Sequence, residues 1–155
     1  MLKMLLIALL LFIFFQDLKS RAVYWFLFPV LMALAFAVSW KTLAADWYLN
    51  ILFLLLIMAM LTIYISLRQG KITYITRGHF SWGDILFLLA VTPLFSLQSY
   101  IIFFTAGTIL TLVMHLGVMA FRKQETIPYA GYMSLVLSVC IGFKEQIFGY
   151  LNLYL

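Results

Sequence analysis

The stretch WYLNILFLLLIMAMLTIYISL, Trp47 to Leu67, decides the fold, because it runs for 21 residues without a charged side chain. At a rise of ~1.5 Å per residue, a helix of that length crosses the ~30 Å hydrocarbon core of a bilayer. Apolar runs recur on both sides of it. Six spanning segments can be read, at about Met1 to Asp17, Ala22 to Ser39, Trp47 to Leu67, Gly83 to Phe95, Gln98 to Phe121 and Pro128 to Phe143, followed by a short aromatic tail to Leu155. None alternates polar with apolar residues, so a closed β-barrel, the other spanning solution, does not fit. The expected fold is all-α: a polytopic membrane protein of about six transmembrane helices, one domain over residues 1–155.

Composition agrees. Hydrophobic residues make up 66% and charged residues 10%, where an ordinary soluble domain is roughly a quarter charged. So few charges cannot cover a water-facing surface, which excludes a soluble globular enzyme, a disordered tail and a disulfide scaffold. The bilayer is the expected surrounding partner. The net charge of +5 comes from ten Lys and Arg scattered singly and in pairs, with no basic stripe for nucleic acid.

Those charges also orient the chain. The side reached after the first span holds Lys19, Arg21, Arg68, Lys71, Arg77, Arg122 and Lys123, and the other holds Lys3, Lys41 and Lys144. Seven against three places the first set in the cytoplasm and the protein in the inner (plasma) membrane. Met1 to Phe15 also has the shape of a signal peptide, but no small-x-small site follows it, so a retained helix is expected. The inner loop from Arg68 to Trp82 alternates Ile72, Tyr74 and Thr76 between Gly70 and Gly78, which predicts a short strand or hairpin.

Only five acidic residues exist: Asp17, Asp46, Asp84, Glu125 and Glu145. In this topology Asp17 ends the first span and Asp84 begins the fourth, both on the cytoplasmic side. A carboxylate at membrane depth is costly and needs a reason. Singly, Asp17 fits an interfacial charge beside Lys19 and Arg21, and Asp84 a helix-capping carboxylate. Together they suggest more. Two carboxylates brought close in a low-dielectric site share one proton, so one can take a proton from water while the other polarises a carbonyl. This chemistry needs no metal and no cofactor. It requires the first and fourth spans to pack together.

The surroundings of both aspartates carry a resemblance. Asp17-Leu18-Lys19-Ser20-Arg21-Ala22-Val23-Tyr24-Trp25 is similar to the first motif of the type IV prepilin peptidases, a helix-ending Asp, a basic loop and Ile-Pro-Asn. Ser81-Trp82-Gly83-Asp84 resembles the second, G-x-G-D, which marks these intramembrane aspartyl peptidases. Glu125-Thr126-Ile127-Pro128-Tyr129-Ala130-Gly131-Tyr132 resembles the Ile-Pro-Phe-Gly segment that opens the family's last helix. The three occur in the family's order and cover nearly the whole chain. Tyr24 and Trp25 replace Pro and Asn, Ser81 replaces the first Gly, and Leu86 stands where many members carry Lys. The Cys-x-x-Cys pairs of the methylating amino-terminal domain are absent, so the resemblance is to the peptidase core.

The resemblance implies that Asp17 and Asp84 form a catalytic dyad that cleaves short leaders from prepilin-like membrane precursors at the cytoplasmic face. Supporting positions would be Ser81, Gly83, Lys19, Arg21, Ile127 and Pro128, with Gly83 letting helix and substrate backbone approach Asp84. Two other functions stay open: a catalytically silent relative that binds such precursors within an assembly, and a proton or cation transporter component. The oligomeric state stays open too, a homo-oligomer included.

The remaining candidates read as structural. Cys140 is alone, which excludes an internal disulfide. His115 reads as a hydrogen-bonded core histidine and His79 as a solvated loop residue. No H-E-x-x-H and no Ser-His or Cys-His signature occurs. Trp25, Trp40, Trp47 and Trp82 read as interfacial anchors, and Gly107 and Gly117 as sites of close helix packing.

Overall fold

The computed structural model describes residues 1–40, 47–69, 81–119 and 127–143. His79, the predicted hairpin and the charged residues Lys41, Asp46, Lys71, Arg77, Arg122, Lys123, Glu125, Lys144 and Glu145 lie outside the described residues. Among those described the architecture is all-helical: α1 (Leu2–Ser20), α2 (Leu27–Ser39), α3 (Trp47–Gln69), α4 (Trp82–Ala90), a 3-10 turn (Thr92–Leu94), α5 (Leu97–Met119) and α6 (Tyr129–Gly142). Each α-helix falls within, or within a few residues of, one of the apolar segments read from the sequence.

Two boundaries differ from expectation. Residues 22–26 do not join α2; Leu27 and Phe28 instead close turns by donating to the carbonyls of Tyr24 and Trp25 at 3.0 and 3.3 Å. The fourth span breaks after Ala90, because Pro93 has no N–H to give and disfavours helix before it. The freed groups are met locally. Thr92 Oγ1 donates to the Leu89 carbonyl at 2.8 Å, and Asn50 Nδ2, from α3, donates to the Thr92 and Phe95 carbonyls at 2.9 and 2.8 Å.

Asn50 is fully buried and is the tie that holds α3 against the break. Asn50→Leu strands those two carbonyls, so we expect a loss of about 1–3 kcal/mol, read as a lower thermal midpoint in detergent. An unchanged midpoint would show that the tie contributes nothing.

Among the described residues two helices are long and apolar enough to cross a membrane, over Trp47–Arg68 and Leu97–Val118. Only 11% and 22% of their apolar windows are buried within the protein, so most of that surface faces outward. α2, α4 and α6 are shorter, at 13, 9 and 14 residues.

α6 lies at the centre. Its residues Tyr129 to Ser134 are all buried, together with Leu137, Ser138 and Ile141. The step of four from Ala130 to Ser134 to Ser138 lays a stripe of small side chains along it, which lets neighbouring backbones come close. α1 turns the stripe Leu6, Leu10, Ile13 and Asp17 inward, a spacing of four, three and four that is one helical face. Asp17 is thus the last member of an otherwise apolar buried face. Gly107 of α5 faces Met133 so closely that a Cβ would stand 2.6 Å from its Sδ, whereas a Cβ on Gly117 would meet nothing within 4 Å. Of the two glycines expected to allow packing, the structure uses Gly107.

Candidate active site

The first turn of any α-helix leaves backbone N–H groups without partners inside the helix. In α6 two consecutive ones are taken by carboxylates. Gly131 N–H donates to Asp17 Oδ2 at 2.7 Å, and Ala130 N–H donates to Asp84 Oδ1 at 3.0 Å. Residues 67 apart in sequence therefore sit side by side on one helix end, whose dipole favours negative charge. Their charges act on each other, and that of Arg21 acts on Asp17.

Each aspartate is placed by its own element. Asp17 is 6% exposed at the end of the inward stripe of α1. Arg21 ends that helix in the left-handed region, at φ 54°, with its N–H donating to the Asp17 carbonyl at 3.0 Å. That bend directs the chain across the site. Asp84 belongs to a capping box at the start of α4, in which Ser81 Oγ accepts from Gly83 N–H at 3.2 Å and Asp84 Oδ2 accepts from Ser81 N–H at 3.1 Å. Both Asp84 oxygens are thereby engaged, one on each helix start. Ser81, where the resembled motif has Gly, is an effective N-cap.

Ser81→Ala should cost about 1 kcal/mol at the start of α4 and Ser81→Gly only a few tenths. The expected order of thermal midpoints is natural chain, Gly, Ala. Equal midpoints for the natural chain and Ser81→Ala would show that the cap is idle.

The carboxylates open on a cavity of about 230 Å³ whose lining includes Arg21, Val23, Ser81, Gly83, Ile127 and Pro128. Of the expected supporting residues, Lys19 is not brought in: it is exposed on the last turn of α1 and does not line the cavity. The expected reason for Gly83 needs correcting in part. A Cβ there would meet Phe28 and Ser81 at an ordinary 3.6 Å, so helix packing does not demand glycine. Gly83 does line the cavity.

The glycine that packing does demand is Gly131, where a Cβ would stand 3.0 Å from both Cβ and Oδ2 of Asp17. Sequence reasoning quoted Gly131 within a motif and gave it no role. A poor helix former three residues after Pro128, in a first helical turn, is the signal that pointed to a close approach. Ala130 carries no such signal, since it acts through its backbone.

Among the described residues no group of three or more His, Cys, Asp or Glu side chains could hold a metal ion. His115 is buried, as expected of a core histidine, but its Nδ1 has no hydrogen-bond partner, nor has the buried Thr111 Oγ1 one turn before it. Neither lines the cavity.

The helix end that holds the pair is also joined to α5. Thr108, the middle residue of α5, shares a hydrogen bond of 2.9 Å with the Tyr129 hydroxyl at the start of α6. The helix start that seats Asp17 and Asp84 is thus tied to the middle of α5.

What the fold and site define is a helical protein with two membrane-length helices and an aspartate pair held on one helix end. Comparisons with protein-family models, with curated proteins and with solved structures find no match to this chain.

Proposed function

We propose that the chain is an intramembrane aspartyl endopeptidase of the prepilin-leader type, a six-span protein of the inner membrane whose cavity opens to the cytoplasm. The observation that carries this reading is the seating of Asp17 and Asp84 on consecutive N–H groups of α6, where both line one cavity. One carboxylate, ionised, takes a proton from water as the water oxygen bonds to the scissile carbonyl carbon. The other, protonated, gives its proton to the carbonyl oxygen. Collapse of the resulting gem-diol returns a proton to the amide nitrogen as the C–N bond breaks. Attack is direct, with no acyl intermediate and no metal. The substrates are small membrane proteins with a short leader before one apolar helix.

The test is co-expression with short-leader, single-helix precursors, with the new amino terminus read by mass spectrometry. A product that depends on Asp84 supports the reading. Absence of product from every such precursor, despite an inserted protein, favours a silent binding relative.

A second reading draws on the level of the pair. Transport sites lie near the bilayer midplane, and Asp17 and Asp84 lie beside the middle of α5. Proton or cation transport would appear as a flux in sealed vesicles that Asp17→Asn removes, without any cleavage.

A further inference from the structure

The helices of this bundle differ in length in an ordered way. α3 and α5 have 23 residues each, about 34 Å. α2 and α6 have 13 and 14, about 20 Å. The fourth span measures much the same from Trp82 to Leu94. In α1 the uncharged stretch between Lys3 and Asp17 is also about 20 Å long.

The long and short helices are level at one end only. Asn50, near the start of α3, holds the 3-10 turn that ends the fourth span, and α5 begins right after that turn. Phe53 of α3 packs its ring edge-on against Tyr100 and Phe104 of α5. At the other end the short helices finish with the aspartate pair, while α5 continues beyond Thr108 for about 16 Å. Val113 and Leu116, on that continuation, are exposed and apolar.

Tryptophans mark the same two levels. Trp25 and Trp82, beside the cavity-lining Val23 and Gly83, are 74% and 67% exposed. Trp40 ends α2 and Trp47 begins α3 at the far end, where Trp47 packs against Phe36. Tryptophan settles at membrane–water interfaces. The two tryptophan levels are separated by α2, about 20 Å against the ~30 Å of a hydrocarbon core.

We propose that the protein thins the bilayer on its cavity side, so that headgroups and water reach the level of Asp17 and Asp84, while lipid beside α3 and α5 keeps its full thickness. This rests on the membrane reading above. Short apolar helices draw the lipid surface toward them at a modest cost per ångström of mismatch. The thinned side supplies the water that hydrolysis consumes and keeps the carboxylates out of hydrocarbon, although they lie beside the middle of α5.

The test uses single-tryptophan chains, with the other three tryptophans changed to Phe, in dioleoylphosphatidylcholine vesicles carrying a nitroxide either near the headgroup or near the chain end. The added probe is Val113→Trp in a background lacking all four natural tryptophans. In a flat bilayer that probe, further along the inward direction than the pair, is shallower than Trp25 and Trp82. With thinning the order inverts: Trp25 and Trp82 are quenched more strongly by the shallow label, and the Val113→Trp probe by the deep one. The flat order overturns the thinning and leaves the peptidase reading standing. No quenching by either label at any site overturns the membrane reading itself.

Discussion

Asp17→Asn and Asp84→Asn should each lower cleavage by about a thousandfold or more, the full share of a general acid–base group, while the protein still inserts and accumulates. The geometry makes Asp17→Asn the cleaner of the two. Among the described residues Asp17 accepts one hydrogen bond, from Gly131 N–H, and the amide oxygen of Asn can still accept it. Asp84 accepts on both oxygens, from Ala130 and from Ser81. An Asn there must turn its NH₂ toward one of those donors and weaken a helix start as well. Asp84→Asn is therefore expected to lose some stability besides activity, and Asp17→Asn activity alone. Normal cleavage by either variant would remove the dyad assignment.

Gly131→Ala is the second large effect. The added Cβ meets Asp17 Cβ and Oδ2 at 3.0 Å, a tight contact, and Asp17 lies at the end of the buried face of α1. The Asp17 side chain must give by a few tenths of an ångström, which stretches its bond to the Gly131 N–H and changes the spacing of the pair. Overpacking of this kind costs about 1–3 kcal/mol. A displacement near 1 Å costs about a hundredfold in rate, so a shift of a few tenths should lower kcat by about threefold to tenfold, with KM little changed. Gly142→Ala and Gly117→Ala, where a Cβ meets nothing within 4 Å, serve as controls and should cleave normally. If Gly131→Ala also cleaves normally, the seat on α6 does not position the pair.

Much of the helical layout was legible in the chain. Apolar runs free of charge have few ways to fold, and the helical segments read from them overlap α1 to α6. Exceptions arose where backbone chemistry overrode hydropathy. Residues 22–26 are apolar enough to extend α2 but form turns, and Pro93 breaks the fourth helix early. Asp17 and Asp84 stood out because carboxylates are rare and costly beside apolar helices. Gly131 did not, since its importance depends on what faces it.

The sequence by itself determined that the chain is helical and apolar, where its helices run, and that two aspartates stand at helix ends. Periodicity and charge are local properties and can be read locally. Only the tertiary structure decided that Asp17 and Asp84 share the first turn of α6, that Ser81 caps the helix bearing Asp84, and that the pair lies beside the middle of α5. These depend on backbone N–H groups that every residue but proline carries, and on helix lengths measured against one another. Neither leaves a mark at any single position in the chain.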